Sequence, residues 1–327
     1  MLGAGRFVEY GFGALLIAAV YTAAAPAADD SKLAPTDLVR RAVHNEIASN
    51  QSGSGAHFMF KDEKKTPQSS QIKLLVETRE ATAGLLISQN GRPLNNQERQ
   101  AEDARLANYV QNSSELRKKR KQEKEDAEHT ERILSALPDA FLYERDGTQP
   151  GRKDLGSPGD ELVQLNFRPN PNYNPPTHVE QVLTGMHGHL LIDVKQERIA
   201  EIDGTLQKEV EFGWGILGHL NPGGRFLVRQ ADVGDHSWEV TRMELAFTGK
   251  ILLVKKLSIH SSDTFSDFEP VPGNLTFAQG VDLLKKQAAE NHSVVQPLEA
   301  DKNRSAKTQS SKTDAKNQGD QTVCCER

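Results

Sequence analysis

The chain has 327 residues, a formal net charge of -5 and 36% hydrophobic residues. That length allows one large or two modest domains, and the mild acidity argues against general nucleic-acid binding, which wants a basic face. Only two cysteines occur, Cys324 and Cys325, adjacent near the C-terminus, so the core is held by packing rather than by disulfides.

Met1 to Ala28 has the layout of an export signal. Arg6 supplies a positive start, Phe12 to Val20 an apolar stretch, and Ala25-Pro26-Ala27 a small-x-small cleavage site. The apolar stretch is shorter than the roughly 20 residues a spanning helix needs, which favours cleavage near Ala27 over a retained anchor. The expected location is therefore the periplasm or cell envelope.

Next, Pro35 to Ser49 places Leu38, Val39, Ala42, Val43 and Ile47 at helical spacing behind Thr36 and Asp37. Three alternating runs follow. Ala56 to Lys61 sets Phe58 and Phe60 on one face, Gln71 to Arg79 aligns Ile72, Leu74 and Val76, and Gly84 to Gln89 aligns Leu85 and Ile87 before an Asn90-Gly91 turn. A long polar helix is expected over 96–137, capped by Asn95 or Asn96, open to interruption at Asn112-Ser113-Ser114 and ended by Pro138. Its alternating Glu and Lys/Arg make i,i+4 pairs, so it should lie against solvent. Its Lys118-Lys119-Arg120-Lys121 cluster could touch anionic lipid head groups at a membrane surface, although a solvated helix face is the favoured explanation.

Phe141 to Glu144 suggests a short strand, Gly147 to Gly159 a loop, and Leu162 to Arg168 a strand. Pro169 to Pro176 suggests a stiff connector, and a helical turn follows near His178 to Leu183. From Gly185 to Ser261 apolar residues recur at every second position, punctuated by Asp203-Gly204, Pro222-Gly223-Gly224, Gly234-Asp235 and Gly249-Lys250. That pattern describes an antiparallel meander. Apolar residues on both faces, as at Ile251 to Val254, suggest that one face packs on helices and the other faces a partly closed apolar space, although deeper burial of a central strand would look the same. Glu269 to Gly273 should break the sheet, and Thr276 should cap a last helix to about Asn291. Over 293–327 large apolar residues nearly vanish, the composition of a disordered tail.

Three segments carry a family resemblance. They are ISQNGRPLNNQERQAEDARL at 87–106, the run from MHGHLLIDVKQERIAEIDGTL through VEFGWGILGHLNPGGRFLVRQADVGDHSWEVTRMEL at 186–245, and GKILLVKKLSIHSSDTFSDFEPVP at 249–272. With the export signal and the order of elements, they resemble the LolA/LolB-like superfamily of periplasmic lipoprotein carriers over about 36–291. The resemblance implies an α+β fold: a strongly curved antiparallel β half-barrel with helices across its concave face, here with a long charged helical insertion. It also implies a single domain over 29–292 and a non-catalytic role in shielding lipid or lipoprotein acyl chains, with an envelope protein as a further partner. Physically, each methylene hidden from water is worth about 0.8 kcal/mol. The candidate ligand-facing set is Phe58, Phe60, Leu190, Ile192, Trp214, Phe226, Val228, Trp238 and Val240, although for any single one an ordinary core contact under the helices is the favoured reading.

Two rival functions stand beside the carrier. One is a structural scaffold that docks partners through the charged helix and tail. The other is a metal-dependent hydrolase. His187 and His189 share a strand face with Asp193, but zinc needs a third protein ligand, and His219, His236 and His260 cannot be placed from spacing. No HExxH, GxSxG or GxxxxGK[ST] motif occurs, and Gly213 to Gly218 lacks the basic residue of a phosphate loop. No cofactor is implied.

Overall fold

The computed structural model describes residues 33–52, 56–212, 217–234, 236–251 and 255–290. The export signal, Trp214, the apolar positions 252–254, the C-terminal tail and both cysteines lie outside the described residues. The chain is α+β. Helix α1 (Pro35–Ser52) precedes strands β1 (His57–Lys65), β2 (Ser70–Val76), β3 (Ala83–Gln89) and β4 (Arg92–Pro93). Helices α2 (Asn96–Gln111) and α3 (Ser113–Ala140) follow, then β5 (Phe141–Pro150), β6 (Glu161–Pro169) and a 3₁₀ turn (Glu180–Gly185). Strands β7 (Met186–Asp193), β8 (Arg198–Leu206), β9 (Val210–Phe212), β10 (Gly218–Leu220), β11 (Arg225–Asp232), β12 (Trp238–Ile251) and β13 (Lys255–Val271) complete the sheet. A helix over 277–290, α4, ends the described chain.

Among the described residues thirteen strands join one antiparallel sheet, in the order β4-β3-β2-β1-β13-β12-β11-β8-β7-β6-β5, with β10 pairing β12 and β9. The sheet is open: β5 and β4 end the order and do not pair with each other. The 17-residue β13 joins the N-terminal strands to the meander, so chain ends distant in sequence meet in the middle of the sheet.

Local chemistry sets most boundaries. Asn90 and Gly91 take φ of 52° and 75°, the left-handed pair that a two-residue hairpin turn requires. Asn95 and Glu98 form a reciprocal capping box at α2: the Glu98 N–H donates to Asn95 Oδ1 (2.9 Å) and the Asn95 N–H to Glu98 Oε2 (2.8 Å). Asn95→Ala is expected to cost about 1 kcal/mol in chemical denaturation; no measurable loss would show that the Arg92–Glu98 pair holds this corner by itself. At Gly188 an added Cβ would fall 1.8 Å from the Asp203 carbonyl oxygen, so a side chain there would part β7 from β8.

The helices divide between the two faces. Leu38, Val39, Ala42 and Val43 of α1, with Leu137 at the end of α3, pack on Val163, Leu165, Leu190, Ile192 and Ile199. At the other end of the sheet, Leu106 of α2 and Phe277, Val281 and Leu284 of α4 pack on Met59, Leu74, Val76 and Leu85. Cross-strand partners share a face, so the face under α1 runs from Leu190 through Ile202, Val228, Met243 and Asp263 to Lys64. Along β1, alternation adds Asp62, Phe60 and Phe58 to that face and leaves Met59 on the reverse, under α4.

One expected boundary is found and three differ. The long helix is two helices, parted at Asn112, whose side chain caps α3 by accepting the Ser114 N–H (3.1 Å). Pro138 does not end α3, which continues to Ala140. Leu137, Pro138 and Ala140 are buried there, and Tyr143 Oη donates to the Leu137 carbonyl (2.7 Å), so packing outweighs the missing N–H. Pro270 does not break the sheet either. It pairs with Phe58, where β12 has already left the other side of β13, so its absent N–H forfeits no ladder bond. Strand β5 is also longer than expected, crossing Gly147 (φ 108°) by a bulge between Arg145 and Thr148.

Candidate functional site

The β12–β13 ladder runs from Ile251↔Lys255 to Arg242↔Thr264 and stops. Beyond it β12 pairs with β11 alone and β13 with β1 alone. Each strand carries a bulge at this point. Thr241 is the extra residue between Arg242 and Val240, and Asp267, at φ 58°, lies in the register shift opposite Met59 to Lys61. Bulges add twist, and two on neighbouring strands turn them apart. A cleft of about 1060 Å³ opens between them, lined by Phe265 and Phe268 of β13, Thr241 and Arg242 of β12, His236 and Pro158. Its volume is at the upper end of the roughly 300–1,000 Å³ typical of ligand pockets.

The β13 wall is aromatic. Phe60 stacks on Phe268 with centroids 5.2 Å apart and planes at 21°. Phe58 meets Phe268 edge-on at 5.9 Å, and Phe60 meets Phe265 at 6.1 Å. Phe58 is buried, whereas Phe60, Phe265 and Phe268 keep part of their surface in solvent. The opposite rim is polar and holds Asp232, His236 and Arg242. An apolar wall facing a polar rim suits an amphiphile.

The expected ligand-facing residues separate. Phe58 and Phe60 belong to the aromatic wall. Val228 lies on the same face, half-buried, between Ile202 and Met243. Val240 is half-buried opposite Gln230 on the β12 side of the divergence. Leu190 and Ile192 are 1% and 0% exposed under α1, and Phe226 packs at the edge of the same core. Trp238 is buried with Leu155, Leu162, Leu191 and Ala200, its ring 5.3 Å from the Arg198 guanidinium carbon. Phe265 and Phe268 escaped the sequence reading because the bulge at Asp267 sets them three apart, out of step with strand alternation.

Buried charge flanks this region. Glu46 of α1 takes two hydrogen bonds from Arg198 (2.9 and 2.8 Å) and one from the Ile199 N–H (2.9 Å). Glu77 Oε2 accepts the Phe58 N–H at 2.9 Å, and burial holds its carboxyl above the usual range. Glu239, beside Trp238, is pushed up to about 7 by burial and by Glu77, against the pull of Arg198.

Of the histidines weighed as metal ligands, His187 keeps a buried Nδ1 with no hydrogen-bond partner among the described residues, and the others sit beside polar groups. His189 Nε2 lies 3.0 Å from Glu201 Oε1, and Glu201 also pairs with Arg229. Burial raises the Glu201 carboxyl, but these partners outweigh it and hold it low, while the bond to Glu201 lifts His189. His219 sits by Glu209, His236 by Asp232 and His260 by Ser258. Among the described residues no group of three His, Cys, Asp or Glu is placed to hold a metal ion. Among them, too, no helix is long and apolar enough to cross a membrane.

No protein-family model matches the sequence, and no curated protein matches it. Among solved structures, a domain from Vibrio parahaemolyticus that carries the provisional name of an outer membrane lipoprotein-sorting protein aligns over 75% of this chain and 97% of its own, at 10% identity and a TM-score of 0.27.

Proposed function

We propose that the protein binds an apolar chain, such as the acyl chain of a lipid or lipoprotein, in the cleft between β12 and β13, and acts as a non-catalytic carrier of the cell envelope. The observation that carries this reading is the aromatic wall: Phe265 and Phe268 line the cleft and stay partly exposed, with Phe60 stacked on Phe268 and Phe58 buried edge-on against it. The N-terminal export pattern supports the location. The energetics suffice without chemistry, since six methylenes moved from water onto this wall are worth roughly 5 kcal/mol.

Titration with the neutral probe Nile red and a fluorescent fatty acid tests the reading. The Phe60→Ala/Phe268→Ala double variant is expected to weaken binding about tenfold or more. Leu190→Ala, deep under α1, is expected to lose about 2–5 kcal/mol of stability while the folded fraction binds as before. If the wild type binds neither probe and carries no lipid when purified from its native envelope, the carrier reading is wrong.

A further inference from the structure

Next to the aromatic wall, on the same face, lies a second feature. Asp62 follows Phe60 at the next same-side position and pairs across the strands with Phe265. Asp263 precedes Phe265 in the same way and pairs with Lys64. The two aspartates are thus diagonal neighbours, a spacing of about 7–8 Å at the backbone that their side chains can bridge. Asp263 is 3% exposed. Lys64 Nζ donates to its Oδ1 at 2.8 Å, but Asp263 Oδ2 and Asp62 Oδ1 are both buried with no hydrogen-bond partner among the described residues. Lys73, the β2 partner of Asp62, completes the charged groups around the pair.

A buried acceptor without a donor costs about 1–3 kcal/mol, and two side by side call for a donor-rich group. The site already takes one primary ammonium, that of Lys64, whose side chain is 40% exposed. An ammonium arriving beside it would bring three further N–H donors to the two oxygens that Lys64 does not pair. A fatty carboxylate offers only acceptors and would face two aspartates.

We propose that Asp62 and Asp263 receive the polar end of the bound chain and select an amphiphile with an ammonium head over one with a carboxylate head. The proposal rests on the cleft reading above and adds the class of head group.

The test is displacement of Nile red from the full chain at pH 7.5 by dodecylammonium and by dodecanoate, which share one tail. Dodecylammonium is expected to bind about tenfold more tightly, as a charge-assisted pair would give. Asp263→Asn, which keeps the shape, should cut that preference to below about threefold and leave Nile red binding unchanged. Phe268→Ala should weaken both chains alike. Asp62→Asn, at a less buried position, serves the same comparison if Asp263→Asn does not fold. Equal or tighter binding of dodecanoate, or a preference that survives both Asn variants, overturns the head-group assignment and leaves the cleft reading standing. Failure of Nile red and of both chains to bind overturns the two together.

Discussion

Replacing Glu46 by alanine is expected to cost about 3–5 kcal/mol of stability, as breaking a buried ion pair by removing one partner does. Glu46 is 2% exposed and ties α1 to the sheet through Arg198 and the Ile199 N–H. The arginine is itself largely covered, with 12% of its side chain exposed, and lies over the Trp238 ring. Without the carboxylate it keeps its charge, because a guanidinium does not deprotonate in proteins, and the Ile199 N–H loses its acceptor. Urea denaturation of Glu46→Ala, Arg198→Ala and the double variant measures this. The double variant should lose clearly less than the sum of the singles, because removing both partners leaves no stranded charge. A loss below about 1 kcal/mol for Glu46→Ala would show that the pair behaves like a surface bridge and does not hold α1 in place.

Glu239→Gln is expected to stabilise the protein at pH 8 and to leave it nearly unchanged at pH 5. The folded-state value of about 7 lies above the ordinary carboxyl value of 4.5, with burial as the main cause and the Glu77 carboxylate the next. The fold therefore prefers the protonated form. Its penalty is absent below about pH 4.5, grows as pH rises to about 7, and is fully present above that. A shift of this size corresponds to something on the order of 3 kcal/mol. Glutamine cannot ionise, so the gap between variant and wild type should open across that window. Glu77, also raised by burial, repels the Glu239 carboxylate, so relief of that repulsion is part of the gain. Urea midpoints at pH 5, 6, 7 and 8 give the result, and parallel curves for the two proteins would disprove it.

The local rules of the chain were legible wherever a residue acts on its own neighbours. The Asn90-Gly91 turn, the Asn95 cap, the Thr276 cap with its Gln279 partner (2.9 Å) and the alternation of β6 from Val163 to Arg168 follow from backbone preference and side-chain period. The same rules failed where a distant contact outweighs them. Pro138 stays helical because the buried end of α3 is held down by packing, and Pro270 stays in a strand because no second neighbour asks for its N–H. The candidate site was half visible. Phe58 and Phe60 stand out as an aromatic pair on one strand face, whereas Phe265 and Phe268 are hidden by the bulge between them. His187, His189 and Asp193 share a strand face in the sequence, but cross-strand pairing gives His189 to Glu201 and joins Glu201 to Arg229.

By itself the sequence determined an α+β chain with a long antiparallel meander, the caps and turns that bound its elements, and the charged face of α3. Those depend on φ preferences, hydrogen-bond stoichiometry and side-chain period, all of which act within a few residues. Only the tertiary structure decided that β13 pairs with β1, that it parts from β12 beyond Arg242, and that four phenylalanines and two aspartates from opposite ends of the chain meet on one face. Register between strands some 200 positions apart is set by the packing of the whole sheet, and no local pattern encodes it.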